Sequence, residues 1–326
     1  MTSAQTKKLR ILLITQGVSR VVEPLAGSAH TLVGLLESAP RGLGKGVPLS
    51  FRARAGSALL SRMHGRLQGL SLYAKNRNIP YRLMRSSEDP GLREWVRSLN
   101  PDVIVVFGMS QLLKETLFSI PVLGAINLHT AYLPEYRGPN PDFWHYYDMK
   151  MDPGVTVHYI QRGEDTGDII FQERIAIALG MKSPARHDML VSQTGVRLLL
   201  RALEALQAGN APRIAQPDVS PTRRARNIEP GEHTQLIDWQ TWPIERIWHV
   251  LRGTELWLNA LTQPQGIYRG QRWVIEHYEL AENGPRLPGR IYKEDGTYFV
   301  ACKQGRIYLS RRFSVKKMLL GLLRGA

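Results

Sequence analysis

The chain has 326 residues, 43% of them hydrophobic, with 43 Lys and Arg against 28 Asp and Glu and a formal net charge of +15. That length fits about two domains, and the hydrophobic share is enough for packed cores, which excludes a disordered chain. The single cysteine, Cys302, rules out an intrachain disulfide and suits a reducing, cytoplasmic setting, and no apolar run is long enough to span a bilayer as a helix.

Near the start, Lys7 to Arg10 precede an apolar run of only Ile11 to Ile14, too short for a signal peptide and fitting a first strand. Strands are expected over Arg10 to Thr15, Thr31 to Leu36, Pro80 to Met84, Asp102 to Gly108 and Leu123 to Leu128. Helices are expected between them over Ser57 to Asn76, Pro90 to Leu99 and Pro139 to Asp148. This alternation predicts a mostly parallel, Rossmann-like α/β sheet covered by helices. In the third helix, Asn140 reads as the cap, Pro141 as the first turn and Asp142 as an acid facing the helix dipole. Val155 to Ile160 and Asp168 to Glu173 read as two more strands. Pro184 to Ala208 reads as a long amphipathic helix closing a catalytic domain of residues 1–208.

Residues 209–236 carry Pro212, Pro217, Pro221 and Pro230 among polar residues, the composition of an extended linker. The remainder, 237–326, reads as a small β-rich domain. It opens on a helix capped by Thr241, with Pro243 in its first turn and Ile244, Ile247, Trp248 and Leu251 on its apolar face. Short alternating segments follow over Gly266 to Leu280, Gly289 to Lys293, Thr297 to Cys302 and Arg306 to Ser310, as in a small barrel of the OB type or a sandwich.

Charge is unevenly placed. From Arg41 to Arg85 there are ten Lys and Arg and no acid, and from Lys303 to the end seven and none, so residues 41–85 and 303–326 together exceed the whole net charge. Such local fields favour anionic partners such as tRNA, a sugar nucleotide or anionic lipid, although a solvated basic face is the plain alternative. Arg311 to Arg324 is a basic amphipathic tail, suited to docking on the body as a terminal helix or to contact with RNA or a membrane surface.

Three stretches carry chemistry: Asn127-Leu-His-Thr-Ala-Tyr-Leu-Pro-Glu-Tyr-Arg-Gly138, Gly154-Val-Thr-Val-His158 and Glu164-Asp165-Thr-Gly-Asp168. Strand alternation puts Asn127 and His129 on one side, and the turn chemistry of Leu133-Pro134 and Gly138 bends the chain just after His129. That bend falls at the carboxyl edge, where open α/β sheets bind ligands. Asp165 lies in the loop between two strand-like segments, which returns it to the same place. An amide, an imidazole and a carboxylate so placed suit acyl-type transfer through an oxyanion. His158, in mid-strand, suits a structural or cavity-lining role.

Taken in order, Asn-x-His, Leu-Pro with a glycine, Gly-Val-Thr-x-His and Asp-x-Gly-x-Ile-Ile resemble the formyltransferases that use 10-formyltetrahydrofolate. These include glycinamide ribonucleotide transformylase, methionyl-tRNA formyltransferase and the amino-sugar N-formyltransferases. The resemblance covers roughly residues 8–205 and, more weakly, the C-terminal part. It implies the formyltransferase fold and 10-formyltetrahydrofolate as co-substrate, with no metal. Asn127 and His129 would donate hydrogen bonds to the oxyanion formed when an acceptor amine attacks the formyl carbon. Asp165 would favour protonated His129 and relay the amine proton, and either resting protonation state of His129 fits. Folate contacts are implied for Gly108, Met109, Ser110, Gln111, Leu112 and Leu113 and for Gly163, Glu164 and Thr166, largely through backbone groups; core packing competes for Met109 and Leu112.

The acceptor divides the family. Arg137-Gly-Pro-Asn-Pro-Asp-Phe-Trp144 departs from the Arg-Gly-Ala-Ala-Pro of the tRNA-modifying enzymes and favours a small anionic amine such as an amino-sugar nucleotide. Tyr132, Arg137, Pro139, Asn140, Phe143 and Trp144 would contact it, Phe143 and Trp144 as a stacking surface. Methionyl-tRNA is the alternative, since Arg41 to Gly46 with Arg52 and Arg54 stands where that enzyme has a basic loop. Sugar-nucleotide members of the family also imply a homodimer. A folate- or tRNA-binding module without catalysis and a 10-formyltetrahydrofolate hydrolase are the other readings.

Overall fold

Ile11 to Ile14 and Val103 to Val106 are buried along their whole length, as strands inside a two-sided parallel sheet must be. In the computed structural model they are the centre of a seven-stranded sheet of order β3-β2-β1-β4-β5-β6-β7. The structure describes residues 7–39, 69–255, 258–264, 266, 270–282, 284–315 and 318. The strands are β1 Arg10–Thr15, β2 Thr31–Ser38, β3 Tyr81–Met84, β4 Val103–Phe107, β5 Ala125–His129, β6 Gly154–Tyr159 and β7 Ile169–Arg174. The first five pair in parallel, and β6 and β7 are antiparallel additions beyond β5.

Helices cover both faces. Helix α1 (Val22–Ala26) and α2 (Leu70–Asn76) pack on one face with Leu198, Leu199, Ala202 and Leu203, and α3 (Pro90–Leu99) with α4 (Glu115–Phe118) covers the other. Each fully buried Leu or Ile contributes about 1.5–3 kcal/mol, so these two apolar layers hold the sheet. Of the helix expected over 57–76, residues 57–68 lie outside the described residues, as do most of the basic stretch 41–85 and residues 319–326 of the basic tail. Helix α5 (Pro141–Tyr147) follows the bend after β5.

The long helix expected over 184–208 is one run of three parts: α6 (Ser183–His187), a π-helical stretch (Asp188–Gly195) and α7 (Val196–Gln207). Residues 209–236, expected as an extended linker, do not hang free. Ile214 bridges to Ile169, Ala225 N–H donates to the Arg137 carbonyl at 2.8 Å, and Asn140 N–H donates to the Ala225 carbonyl at 2.9 Å. The segment is a strap laid over the bend after β5.

Beyond it, α8 (Ile244–Gly253) packs Ile244, Ile247, Val250 and Leu251 against an antiparallel sheet. That sheet has the order β8-β11-β10-β9, with β8 Gln271–Leu280, β9 Ile291–Glu294, β10 Thr297–Cys302 and β11 Gly305–Phe313. Among the described residues it is an open sheet, where a barrel or sandwich was expected. Thr241 is not the helix cap, because its hydroxyl is taken by Asp238 and Pro243 holds the capping position. No helix of the described residues is long and apolar enough to cross a membrane.

Candidate active site

A cavity of about 290 Å³ opens beyond the carboxyl ends of β4 and β5, with Asn127, His129, His158 and Asp165 on its wall. Asn127 and His129 alternate on β5, so both face one way as the strand period requires. His158 comes from β6 directly opposite Asn127. Asp165 sits in the loop from β6 to β7 with φ of 54°, a left-handed conformation that Asp tolerates better than most residues.

The Asp165 carboxylate is the hub. One oxygen accepts from the Gly138 N–H at 2.9 Å and lies 3.8 Å from His129 Nδ1. The other lies 3.4 Å from Asn127 Nδ2 and 3.6 Å from His158 Nε2. Burial alone would raise this carboxyl, but the His129 imidazole and the Gly138 N–H hold it well below the usual carboxylate range. Gly138 is needed here: at φ of 124° it aims its N–H at Asp165, and a Cβ would meet the Ala225 carbonyl oxygen of the strap at 2.9 Å.

Ring tautomers follow from the carbonyls. His158 Nδ1–H donates to the Tyr159 carbonyl at 2.8 Å, so its Nε2 accepts from Asn127 Nδ2 at 3.1 Å and fixes that amide. His129 Nε2–H donates to the Tyr136 carbonyl at 3.1 Å. Only Nδ1 of His129 is then left for a bound oxygen, and it donates only from the imidazolium. An amide N–H and an imidazolium N–H beside a fixed carboxylate can stabilise a developing oxyanion.

The flanking loops line the rest of the cavity. Gly108, Met109, Gln111, Leu112 and Leu113 follow β4, and Gly163, Glu164 and Thr166 precede and follow Asp165. Leu112 leaves 60% of its surface exposed there, an apolar face for a planar ligand, while Leu113 is nearly buried and Met109 packs against the core. Ser110 is different: its hydroxyl donates to the Ala39 carbonyl at 2.6 Å and ties the loop to the end of β2.

Residues 66–203 match the family profile described as formyl transferase. Over 297 residues the chain is 31% identical to a methionyl-tRNA formyltransferase of Alkaliphilus metalliredigens, covering 90% of this chain and 87% of that one. This chain belongs to the formyl transferase family of enzymes. Two solved structures share its fold, each at 13% identity and a TM-score of 0.58 over 94% of this chain. One is the N-formyltransferase from Helicobacter canadensis in complex with folinic acid and dTDP-3-aminofucose, covered over its full length. The other is HypX from Aquifex aeolicus in complex with tetrahydrofolic acid, of which this chain spans 44%.

Within this formyltransferase the expected acceptor contacts separate. Pro139 and Asn140 line the cavity. Arg137 does not: it is 8% exposed, and its guanidinium donates to Gln216 Oε1 and to the Pro217 and Asp218 carbonyls at 2.9, 2.7 and 3.0 Å. Gln216 in turn donates to the Asp165 and Gly167 carbonyls at 3.1 and 2.6 Å, so Arg137 and Gln216 clamp the Asp165 loop. Tyr132 lies under the Arg174 guanidinium at 4.1 Å, away from the cavity lining. Phe143 and Trp144 offer no stacking surface. They are buried in the core shared with α8, and the Trp144 indole N–H donates to the Arg226 carbonyl at 2.8 Å.

Sequence reasoning missed a second polar cluster on the cavity wall. Asp142 faces no solvent as a dipole residue: Arg186 Nη1 lies 2.7 Å from one carboxylate oxygen and His187 Nε2 3.0 Å from the other. Arg186 also donates to His145 Nδ1. The spacing of Asp142 from Arg186 and His187 gives no local signal, because only the approach of α5 and α6 joins them.

Proposed function

We propose that this enzyme transfers the formyl group of 10-formyltetrahydrofolate to a primary amine. The observation that carries this is the convergence of Asn127 and His129, on one strand, with Asp165, from a distant loop, on one cavity wall, the Asp165 carboxylate lying 3.4 Å from Asn127 Nδ2 and 3.8 Å from His129 Nδ1. The folates bound by the Helicobacter enzyme and by HypX support a reduced folate as formyl carrier, and it is a substrate here, not a resident group. The loops Gly108 to Leu113 and Gly163 to Thr166 would hold it, Leu112 under its ring and backbone groups at its polar edge.

As the amine nitrogen bonds to the formyl carbon, the carbonyl oxygen takes up negative charge. Asn127 Nδ2 gives up its long contact to Asp165 and donates to that oxygen, and His129 donates from Nδ1 as imidazolium; each well-placed donor is worth about 3 kcal/mol. Asp165, beside His129, passes the attacking nitrogen's proton, directly or through water, to the departing folate nitrogen. The bond from carbon to that nitrogen then breaks.

For the acceptor, methionyl-tRNA takes first place. Relatives carrying that name align along the chain at up to 31% identity over 297 residues, and the burial of Phe143 and Trp144 removes a contact proposed for a small amine. An amino-sugar nucleotide is the second reading. It rests on the departure at Gly138-Pro-Asn-Pro-Asp142, where Pro139 and Asn140 stand at the cavity. One experiment separates them: incubate the full chain and 10-formyltetrahydrofolate with charged initiator tRNA or with a panel of amino-sugar nucleotides, and look for one added formyl group by mass spectrometry. Formylmethionine on tRNA favours the first; a formylated sugar favours the second. Formate released without any amine points to hydrolysis, and no consumption of the folate sinks the transfer reaction.

A further inference from the structure

Formyl transfer to an amine has a proton problem that the Asn127, His129 and Asp165 trio does not solve. An amine of ordinary basicity, with a pKa of about 8 for an α-amino group, is largely an ammonium ion near neutral pH and has no lone pair to attack with. His129 cannot take that proton, because in its oxyanion-stabilising form it already carries hydrogen on both nitrogens. Asp165, held well below the usual carboxylate range, is a poor base.

A second histidine–carboxylate pair lines the same cavity. His187 Nε2 lies 3.0 Å from an Asp142 carboxylate oxygen, and Nδ1 has no hydrogen bond among the described residues. The His187 side chain is 33% exposed, whereas Asp142 and Arg186 behind it are buried. The guanidinium of Arg186, 2.7 Å from the carboxylate, keeps Asp142 an anion, and His145 occupies its other side. The other charged or titratable groups near this pair include Asp188, next along the helix and paired to Arg20, and His129, Glu164 and Asp165, which line the same cavity. His187 also stands at the junction of α6 and the π-helical stretch from Asp188 to Gly195, a local distortion often found at functional sites.

We propose that His187 Nδ1 takes the proton from the acceptor's ammonium before attack, with Asp142 as the positioning residue that fixes the ring. This rests on formyl transfer as the reaction. The acceptor's N–H bond breaks, a bond from Nδ1 to hydrogen forms, and the imidazolium sits against the Asp142 carboxylate until it releases the proton to water. The second amine proton goes to the folate nitrogen through Asp165, so the reaction yields the formamide, tetrahydrofolate and one free proton.

The test uses His187→Gln, whose side-chain amide keeps a donor toward Asp142 but has no basic nitrogen, and His187→Ala. Initiator methionyl-tRNA and dTDP-3-aminofucose are the acceptor probes, and tetrahydrofolate binding by calorimetry reports the state of the cavity. The expected result is a fall in kcat/KM for the acceptor of about 10²-fold at neutral pH in H187Q, with unchanged tetrahydrofolate binding. The deficit should shrink as pH rises past the pKa of the amine, and added imidazole should restore part of the activity of H187A. A deficit under threefold overturns the proposal, as does one that is constant with pH and unmoved by imidazole. Wild-type protein that formylates neither probe yet binds tetrahydrofolate overturns the transfer reaction itself, a different failure.

Discussion

Asp165, partly buried, and Asp142, buried, stand on the wall of one cavity, each beside a histidine, yet they are held by different kinds of partner. Asp165 lies in a loop, at positive φ, among two imidazoles and a backbone N–H. Asp142 lies in a helix, against a buried guanidinium that never gives up its charge. The first carboxylate has neighbours that can trade protons with a reacting group, and the second is a fixed anion that orients others. Burial and a histidine partner do not by themselves mark a residue of the chemical step; the charge that cannot move decides.

The largest effect should come from Asp165→Asn. We expect kcat to fall by about 10²–10⁴-fold, because His129 loses the carboxylate beside its Nδ1 and the proton loses its relay. Tetrahydrofolate affinity and the urea unfolding midpoint should change little. Asp142→Asn, assayed well above the pKa of the acceptor amine, should cost far less in kcat; an equal loss would erase the distinction between the two.

Arg186→Met reverses the ranking. Removing one partner of a buried pair leaves an uncompensated charge and costs about 3–5 kcal/mol of stability, read as a lower urea midpoint at unchanged m. Arg186 is 1% exposed and serves Asp142 and His145 together, so the loss should sit at that end of the range. A stable R186M protein would mean that Asp142 is less isolated from water than its burial implies.

Acid should distinguish the two surroundings next. Burial, then the Arg186 charge, lowers His145, and burial pushes His249 down from 6.5 to about 4. Both rings are neutral when folded and protonate on unfolding, so their contribution is complete above 6.5 and falls away below it, that of His249 being lost as pH falls toward 4. Asp165 and Asp142, held below the ordinary 3.8, contribute fully above that value and lose it as pH falls further. Urea midpoints measured from pH 7 to 3 should therefore fall in two limbs. His249→Asn, which leaves an acceptor for the Gly180 N–H, should flatten the upper limb, and D165N only the lower. A single limb below pH 4 would show that the histidines on the Asp142 side are already hydrated.

The difference between the two carboxylates also measures what the chain's own pattern could reveal. Asn127 and His129 were legible because they obey a two-residue period within five residues of strand, and Asp165 because its loop closes between adjacent strands. The central strands of the large sheet were legible instead as short continuous apolar runs, since a sheet covered on both faces buries both sides of its strands. Asp142 was read as a dipole residue because Asn140-Pro-Asp is a local signal, whereas its true partners come from a helix that only tertiary packing brings near. Phe143 and Trp144 misled similarly: aromatic residues beside a site suggest stacking, and only the approach of α8 shows that they fill a core. Arg137 was read as an acceptor contact and Gln216 escaped notice because a proline-rich strap looks like a linker until its hydrogen bonds to the site are seen.

Glu164 supplies a third carboxylate against which to test the rule, and the smallest effect. It lines the cavity next to Asp165, and Arg224 Nη2 donates to it at 2.8 Å, but that guanidinium is 58% exposed. Like Asp142 it is paired to an arginine; unlike Asp142 it is paired in water, where such a bridge is worth about 0.2–1 kcal/mol. Arg224→Ala should therefore shift the urea midpoint barely and leave kcat within a factor of about two. Moderate salt should remove even that difference by screening the pair. If R224A instead lowered kcat as D165N does, an exposed arginine would be controlling the Asp165 loop through Glu164, and burial of the partner could no longer be what separates a fixed anion from a working one.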